Sequence, residues 1–168
     1  MLLFLLMMIF DIFIIVLLYD FFFIKRNQYM SIPAFIYRMV DHIYISDSRA
    51  SYYMDLFQIS INTTNILKSD SIITSSTQKA RFIYMTKGNK EQSNKEQTDV
   101  LIDMIVYYQS SKYKILLYSQ DTTSTCYLFI KYMMKRYHFT KEDIIRLIHI
   151  TKLPPVYKKQ MDDILQTL

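Results

Sequence analysis

Apolar and polar positions change period several times along this chain, and each change marks an element. HIYIS (His42–Ser46) alternates and is β-branched, which predicts a strand. Asp47, Ser48 and Arg49 then form a turn, and Ala50–Ile59 carries Tyr53, Leu56 and Phe57 at helical spacing. NTTNILK (Asn62–Lys68) predicts a second strand and RFIYMT (Arg81–Thr86) a third. Between them Ser69–Lys79 is polar and reads as a loop, with Ile72 and Ile73 able to extend into a short strand. Lys87–Gln97 has no apolar residue and reads as a loop. Val100, Leu101, Met104, Ile105 and Tyr108 mark one helix face. YKILLY (Tyr113–Tyr118) is a short apolar run, the pattern of a strand buried on both faces. A helix follows over Thr123–Tyr137. Thr140 and Asp143 then make a capping box for Ile144, Ile145, Leu147 and Ile148. Pro154 and Pro155 end that helix, and Val156–Leu168 predicts a last amphipathic one. Ser31–Val40, with Pro33, is a connector that ends in a short helix. Strands alternating with helices predict an α/β domain with a central, mostly parallel sheet of about four to five strands.

The first 24 residues break this pattern, being almost continuously apolar. As a helix they would span about 36 Å, enough to cross a bilayer core. Asp11 in mid-span would cost about 2.5–3.5 kcal/mol, which its apolar neighbours outweigh. No basic n-region and no small-residue cleavage site precede Lys25 and Arg26, so an uncleaved anchor is expected, with a domain facing the cytoplasm. The alternative is that Met30 is the start and the earlier stretch an upstream extension. The expected division is therefore 1–24 anchor or extension, 25–37 linker and 38–168 folded domain.

Composition narrows the chemistry. A single Gly among 168 residues excludes a Gly-rich phosphate loop. One cysteine, Cys126, excludes an internal disulfide and a Cys-based zinc site. His42, His138 and His149 are dispersed, so no metal site is expected. Residues 25–168 hold 20 Lys and Arg against 13 Asp and Glu, a scattered balance of +7 that reads as a solvated surface rather than a nucleic-acid interface. Tyr52–Tyr53 and Tyr107–Tyr108 are candidate interface anchors or phosphorylation targets beside a default packing role, and Asn62-Thr63-Thr64 is a glycosylation sequon that matters only in a luminal domain.

The stretch Leu116–Met134 carries the most functional information. It reads as strand, polar loop and helix, and in α/β sheets ligands bind beyond the carboxyl ends of central strands. The candidate binding loop is Ser119, Gln120, Asp121, Thr122, Thr123, Ser124 and Thr125. Here the chain resembles the dual-specificity protein phosphatases. That family's signature is a strand ending His-Cys, two residues, Gly, one residue, Ser-Arg-Ser/Thr, then a helix. The matching string runs from Tyr118 and Ser119 through Thr125 and Cys126 to Lys131-Tyr132-Met133-Met134. HIYISDSRASYYMDLFQISINTTNIL resembles the family's opening, FTKEDIIRLI its helix after the loop, and LPPVYKKQMDDIL its closing helix, so the resemblance covers about residues 38–168.

The resemblance implies a cysteine-phosphatase fold and three substitutions. Ser119 stands at the nucleophile position, where a low-pKa thiolate would attack phosphorus. Thr125 stands at the Arg clamp and has no planar fork. Lys87, with Gly88, stands at the general acid, with Glu91 the nearest carboxylate. Asp121 adds a negative charge within the loop, and Thr122 replaces the family Gly. The expectation is a catalytically inactive pseudophosphatase, without cofactor or metal. It would bind a protein, either a phosphoprotein or an active phosphatase, as scaffold or competitor; a homodimer is left open. Active relatives of this size encoded by large DNA viruses extend the expectation to a viral role against host signalling. The alternatives kept are a hydrolase using Ser119, for which no flanking glycines build a nucleophile elbow, and a membrane-anchored structural protein. Cys126, at a helix start, is either a reactive thiol or a buried structural one.

Overall fold

A computed structural model of the chain describes residues 32–64, 69–77, 80–87 and 94–168, together with Ile14 and Ile66. The apolar segment 1–24 lies outside the described residues apart from Ile14. Among the described residues no helix is long and apolar enough to cross a membrane. Residues 34–168 form one unit.

Six strands form one sheet in the order β1-β2-β6-β3-β5-β4. They are β1 Tyr37–Arg38, β2 Ile43–Asp47, β3 Ile59–Asn62, β4 Ser69–Ser76, β5 Arg81–Lys87 and β6 Ile115–Ser119. The four inner strands β2, β6, β3 and β5 are parallel, and the two edges, β1 and β4, are antiparallel to their neighbours. A 3-10 helix, Ser48–Leu56, follows β2. Four α-helices complete the chain: α1 Asn94–Ser110, α2 Thr122–Tyr137, α3 Lys141–Ile150 and α4 Pro155–Thr167.

Alternation along each inner strand sorts its side chains between two faces. Ile43, Ile45, Ile59, Ile61, Ile83, Ile115 and Leu117 point into the main core, which they share with Leu101, Ile105, Leu128 and Phe129 of α1 and α2. The intervening residues face the 3-10 helix: Tyr44 meets Phe57 edge-on at 5.2 Å, Ser60 donates to the Met54 carbonyl, and the Tyr118 phenol donates to the Met54 sulfur at 3.0 Å. All five residues of β6 are buried, as a strand covered on both faces requires. Each fully buried Leu or Ile contributes about 1.5–3 kcal/mol.

The structure corrects four expected elements and, with them, the strand count. The second strand is ISIN, Ile59–Asn62, rather than Asn62–Lys68, because Ile59 and Ile61 alternate with Ser60 while Asn62 turns the chain by accepting the Thr64 N–H at 3.0 Å. Tyr37–Arg38 is an edge strand, not a helix. It forms a hairpin with β2 across Asp41 and His42, whose φ values of 31° and 66° are those of a tight primed turn. Tyr137 donates to the Asp41 carboxylate at 2.8 Å and holds that turn. Ser69–Ser76 is a full edge strand, polar because only one side of it is paired. The sheet therefore has six strands instead of four to five. Helix α1 starts at Asn94, inside the expected Lys87–Gln97 loop. The Thr140–Asp143 capping box is present on α3, with Thr140 Oγ1 accepting the Asp143 N–H at 3.2 Å.

Candidate functional site

The parallel strands end side by side and set the frame of the site. Asp47 of β2 lies in register with Ser119 of β6, and Asn62 of β3 with Tyr118. Beyond Ser119 only Gln120 and Asp121 intervene before α2 begins at Thr122. The helix expected from Thr123 is present and begins one residue earlier, at Thr122, so of the expected binding segment Ser119–Thr125 the last four residues are helical. A wrapped cradle needs a residue that tolerates positive φ, and the chain has Thr122 where that residue would stand. None of Ser119–Thr125 has positive φ. The segment takes the helical conformation instead, and the strand-to-helix connection shortens to two residues.

The interior of this connection is filled by its own polar groups. Ser119, Thr125 and Thr63 are all buried. Ser119 Oγ lies 2.7 Å from the Asp121 carbonyl oxygen and 2.8 Å from Thr125 Oγ1. Thr125 Oγ1 lies 3.0 Å from Thr63 Oγ1, which is 3.2 Å from the Tyr118 carbonyl. Each hydroxyl has one proton. The carbonyl can only accept, so Ser119 donates to Asp121 and receives the Thr125 proton. Thr63 in turn faces both Thr125 and the Tyr118 carbonyl. Ser119 and Thr125, expected from the resemblance at the nucleophile and clamp positions, are bonded to each other. A backbone carbonyl, with its partial negative charge, faces Ser119 where a phosphate cradle presents N–H groups.

Neighbouring elements hold the connection closed. The Thr63 N–H donates to the Tyr118 carbonyl at 2.8 Å, and the Gln120 N–H donates to Thr64 Oγ1 at 3.0 Å. The Thr122 hydroxyl donates to Gln160 Oε1 of α4, which also lies 3.9 Å from Cys126 Sγ. Asp121 caps α2 without a side-chain hydrogen bond and is exposed. Arg49, just beyond β2, is committed to Asp47 through a fork with contacts of 2.7, 3.0 and 3.1 Å. That fork lowers the Asp47 pKa. The guanidinium also lies 4.6 Å from the Phe35 ring centroid.

Cys126 is fully buried, and burial together with the Asp121 charge pushes its thiol up to about 12. The thiolate form that a reactive cysteine needs is therefore disfavoured, despite the nearby helix start. Lys87 is the last residue of β5, paired with Ser69 at the sheet edge. Gly88 and Glu91 lie outside the described residues. His42, at the β1–β2 turn, sits at the amino ends of the strands, away from Ser119; His138 caps the end of α2 and His149 lies in the last turn of α3. Sequence reasoning missed Thr63, Thr64 and Gln160. They are distant in sequence from Ser119; Asn62-Thr63-Thr64 stood out only as a sequon, within a stretch expected to be a strand.

A separate concavity of about 540 Å³ opens at the carboxyl ends of the strands, on the sheet face turned toward the 3-10 helix. Of the expected binding residues only Gln120 lines it; Ser119 and Thr125 point to the opposite face, into α2.

No family model matches the sequence, and no curated protein matches it. Solved structures do. Human DUSP28 is similar over 81% of this chain and 96% of its own, with a TM-score of 0.53 at 9% identity. OH1, a tyrosine phosphatase from the Orf virus, aligns with 82% of this chain and 78% of its own, with a TM-score of 0.44 at 15% identity. The likeness at this identity is one of fold: the sheet, the strand-to-helix connection after β6 and the helices around it form a dual-specificity-phosphatase-like fold.

Proposed function

We propose that this protein, built on a dual-specificity-phosphatase-like fold, is a pseudophosphatase that acts by binding protein partners, as a scaffold or as a competitor of an active phosphatase. The observation that carries the reading is the closed connection after β6. Ser119 spends its proton on the Asp121 carbonyl and accepts from Thr125, so the hydroxyl is neither adjacent to a base nor open to a substrate. The chain's cysteine supports the same reading, because Cys126 is buried within α2 with its thiol held protonated. Phosphoryl transfer by this fold family needs a thiolate, a planar cation for the phosphoryl oxygens and a proton donor. At the positions that the resemblance matches to these stand a bonded serine, a buried threonine and Lys87, the last residue of the inner strand β5.

The test is turnover by the full-length chain on tyrosine- and serine-phosphorylated peptides and on a generic aryl phosphate. No release of phosphate above the buffer blank is expected, for the wild type and for Ser119→Ala alike. Turnover by the wild type that disappears in Ser119→Ala would overturn the proposal in favour of a serine-dependent hydrolase. Introducing Ser119→Cys with Thr125→Arg is expected to leave the protein inactive, because a cation placed in the buried Thr125 site is unpaired and the loop remains too short to wrap phosphate.

A further inference from the structure

Strand β4 ends the sheet, and it is a different kind of edge from β1. β1 is two residues long and carries Arg38, whereas β4 runs for eight residues, Ser69–Ser76. A sheet edge offers its outward N–H and C=O groups to any other strand, so proteins blunt edges with short strands, lysine, proline or bulges. β4 contains no Lys, Arg or Pro, and its bulge lies at its start, between Ser69 and Ser71. From Ser71 to Ser76 its pairing with β5 is regular, and Ile73 to Ser76 are exposed. We infer that this edge pairs with the same edge of a second copy of the chain, antiparallel, with Ile73 on the two-fold axis. The inference concerns assembly and is independent of the catalytic reading above.

The strand is complementary to itself in one register. A two-fold axis that relates antiparallel neighbours stands perpendicular to the sheet and maps each face onto itself. Directly opposed residues share a face, so one residue must lie opposite its own copy. The β-branched run Ile72-Ile73-Thr74 selects which one. With Ile73 on the axis, Ile73 meets the partner's Ile73 and Ile72 meets the partner's Thr74. Every pair in the run is then β-branched against β-branched, the residue type that best fits a pleated surface. With Ile72 on the axis, Ile73 would face a serine. Exposure agrees with the first register. Ile72 packs against the core of its own copy, while Ile73, on the other face, is 50% exposed and has apolar area left to bury. Charge allows the pairing as well. Asp70 is the strand's one charge, and this axis places its position opposite Ser76, about 20 Å along the strand from its own copy. That exceeds the screening length of about 8 Å at physiological salt.

The experiment is oxidative cross-linking of the full-length chain with diamide, read by non-reducing electrophoresis. Cα atoms of directly opposed residues lie about 4.5–5.5 Å apart, inside the span of about 4.4–6.8 Å that a disulfide bridges. Ile73→Cys is therefore expected to give a covalent dimer. Ser75→Cys is the control, exposed on the same face. In this register its own copy lies about 14 Å away, so it is expected to cross-link at least about tenfold more slowly. The native chain, whose cysteine Cys126 is buried, is expected to give no cross-link. Sedimentation velocity is expected to show a dimer for the wild type and at least about tenfold weaker association for Ile73→Lys, its fold checked by circular dichroism, because two ammonium groups then oppose each other on the axis. Equal cross-linking by Ser75→Cys, none by Ile73→Cys, or a dimer that Ile73→Lys leaves unchanged would overturn the inference. A chain that stays monomeric in both assays would leave the edge to a strand of another protein and would overturn it too.

Discussion

Replacing Thr125 by Val removes one hydroxyl while keeping shape and volume, and the structure says what should follow. Thr125 Oγ1 sits between Ser119 Oγ at 2.8 Å and Thr63 Oγ1 at 3.0 Å, with all three side chains buried. Ser119 keeps its donation to the Asp121 carbonyl and Thr63 its contact with the Tyr118 carbonyl. What is lost is the proton that Ser119 accepts and the oxygen that Thr63 can donate to. Each is a buried polar interaction, and a net hydrogen bond is worth about 0.5–1.5 kcal/mol. The expected loss is therefore about 1–3 kcal/mol for the pair. With a urea slope of about 1–3 kcal/mol/M, the unfolding midpoint of the full-length chain should fall by about 1 M. Ser119→Ala should cost a similar amount, because it removes the donation to the Asp121 carbonyl and the acceptor of the Thr125 proton. The double variant should fall short of the sum, with a coupling of about 1 kcal/mol between two groups in contact. A Thr125→Val midpoint equal to wild type, or strict additivity with Ser119→Ala, would refute the hydroxyl chain. Either result would also mean that the connection after β6 is not held closed by these hydroxyls.

Two further outcomes are expected. With its thiol raised to about 12 and fully buried, Cys126 should resist a disulfide reagent at pH 8 in the native protein and react promptly once the chain is unfolded in denaturant; prompt reaction of the native protein would refute the assignment of a structural thiol. Asp47 has its pKa lowered below 3.8 chiefly by the Arg49 hydrogen bonds, so its contribution to stability is full above that value and is lost as the pH falls through the lowered one. Thermal melts between pH 6 and pH 2.5 should show an acid-dependent drop that is smaller in Asp47→Asn, and an identical drop in the variant would refute this role for the ion pair.

The parts that were legible in the sequence are those whose signal is local. YKILLY reads as a doubly covered strand because six neighbouring residues state it, and Thr140 with Asp143 reads as a helix start because both partners of the capping box lie within one turn. The misplaced strand shows where this stops. NTTNILK and ISIN are both plausible strands by composition; the choice fell to ISIN because Ile59 and Ile61 find the core beneath α1 and α2, while Asn62 spends its carbonyl on a turn. The polar edge strand Ser69–Ser76 carried no apolar alternation, because an edge strand's pairing is supplied by its neighbour, β5.

The sequence alone determined the α/β class, the strand-to-helix unit after Leu117, and the identity of the groups at its end: Ser119, Asp121, Thr122 and Thr125. It could do so because side-chain chemistry and local periodicity are properties of the chain itself. Only the tertiary structure decided what those groups do. Whether Ser119 faces substrate or Thr125 depends on where α2 begins. Whether Thr63 completes the hydroxyl chain depends on β3 lying beside β6, and whether Tyr118 and Tyr84 line one concavity depends on β3 lying between β6 and β5. Hydrogen bonds and burial are set by which surfaces meet, and these residues are far apart until the sheet is formed.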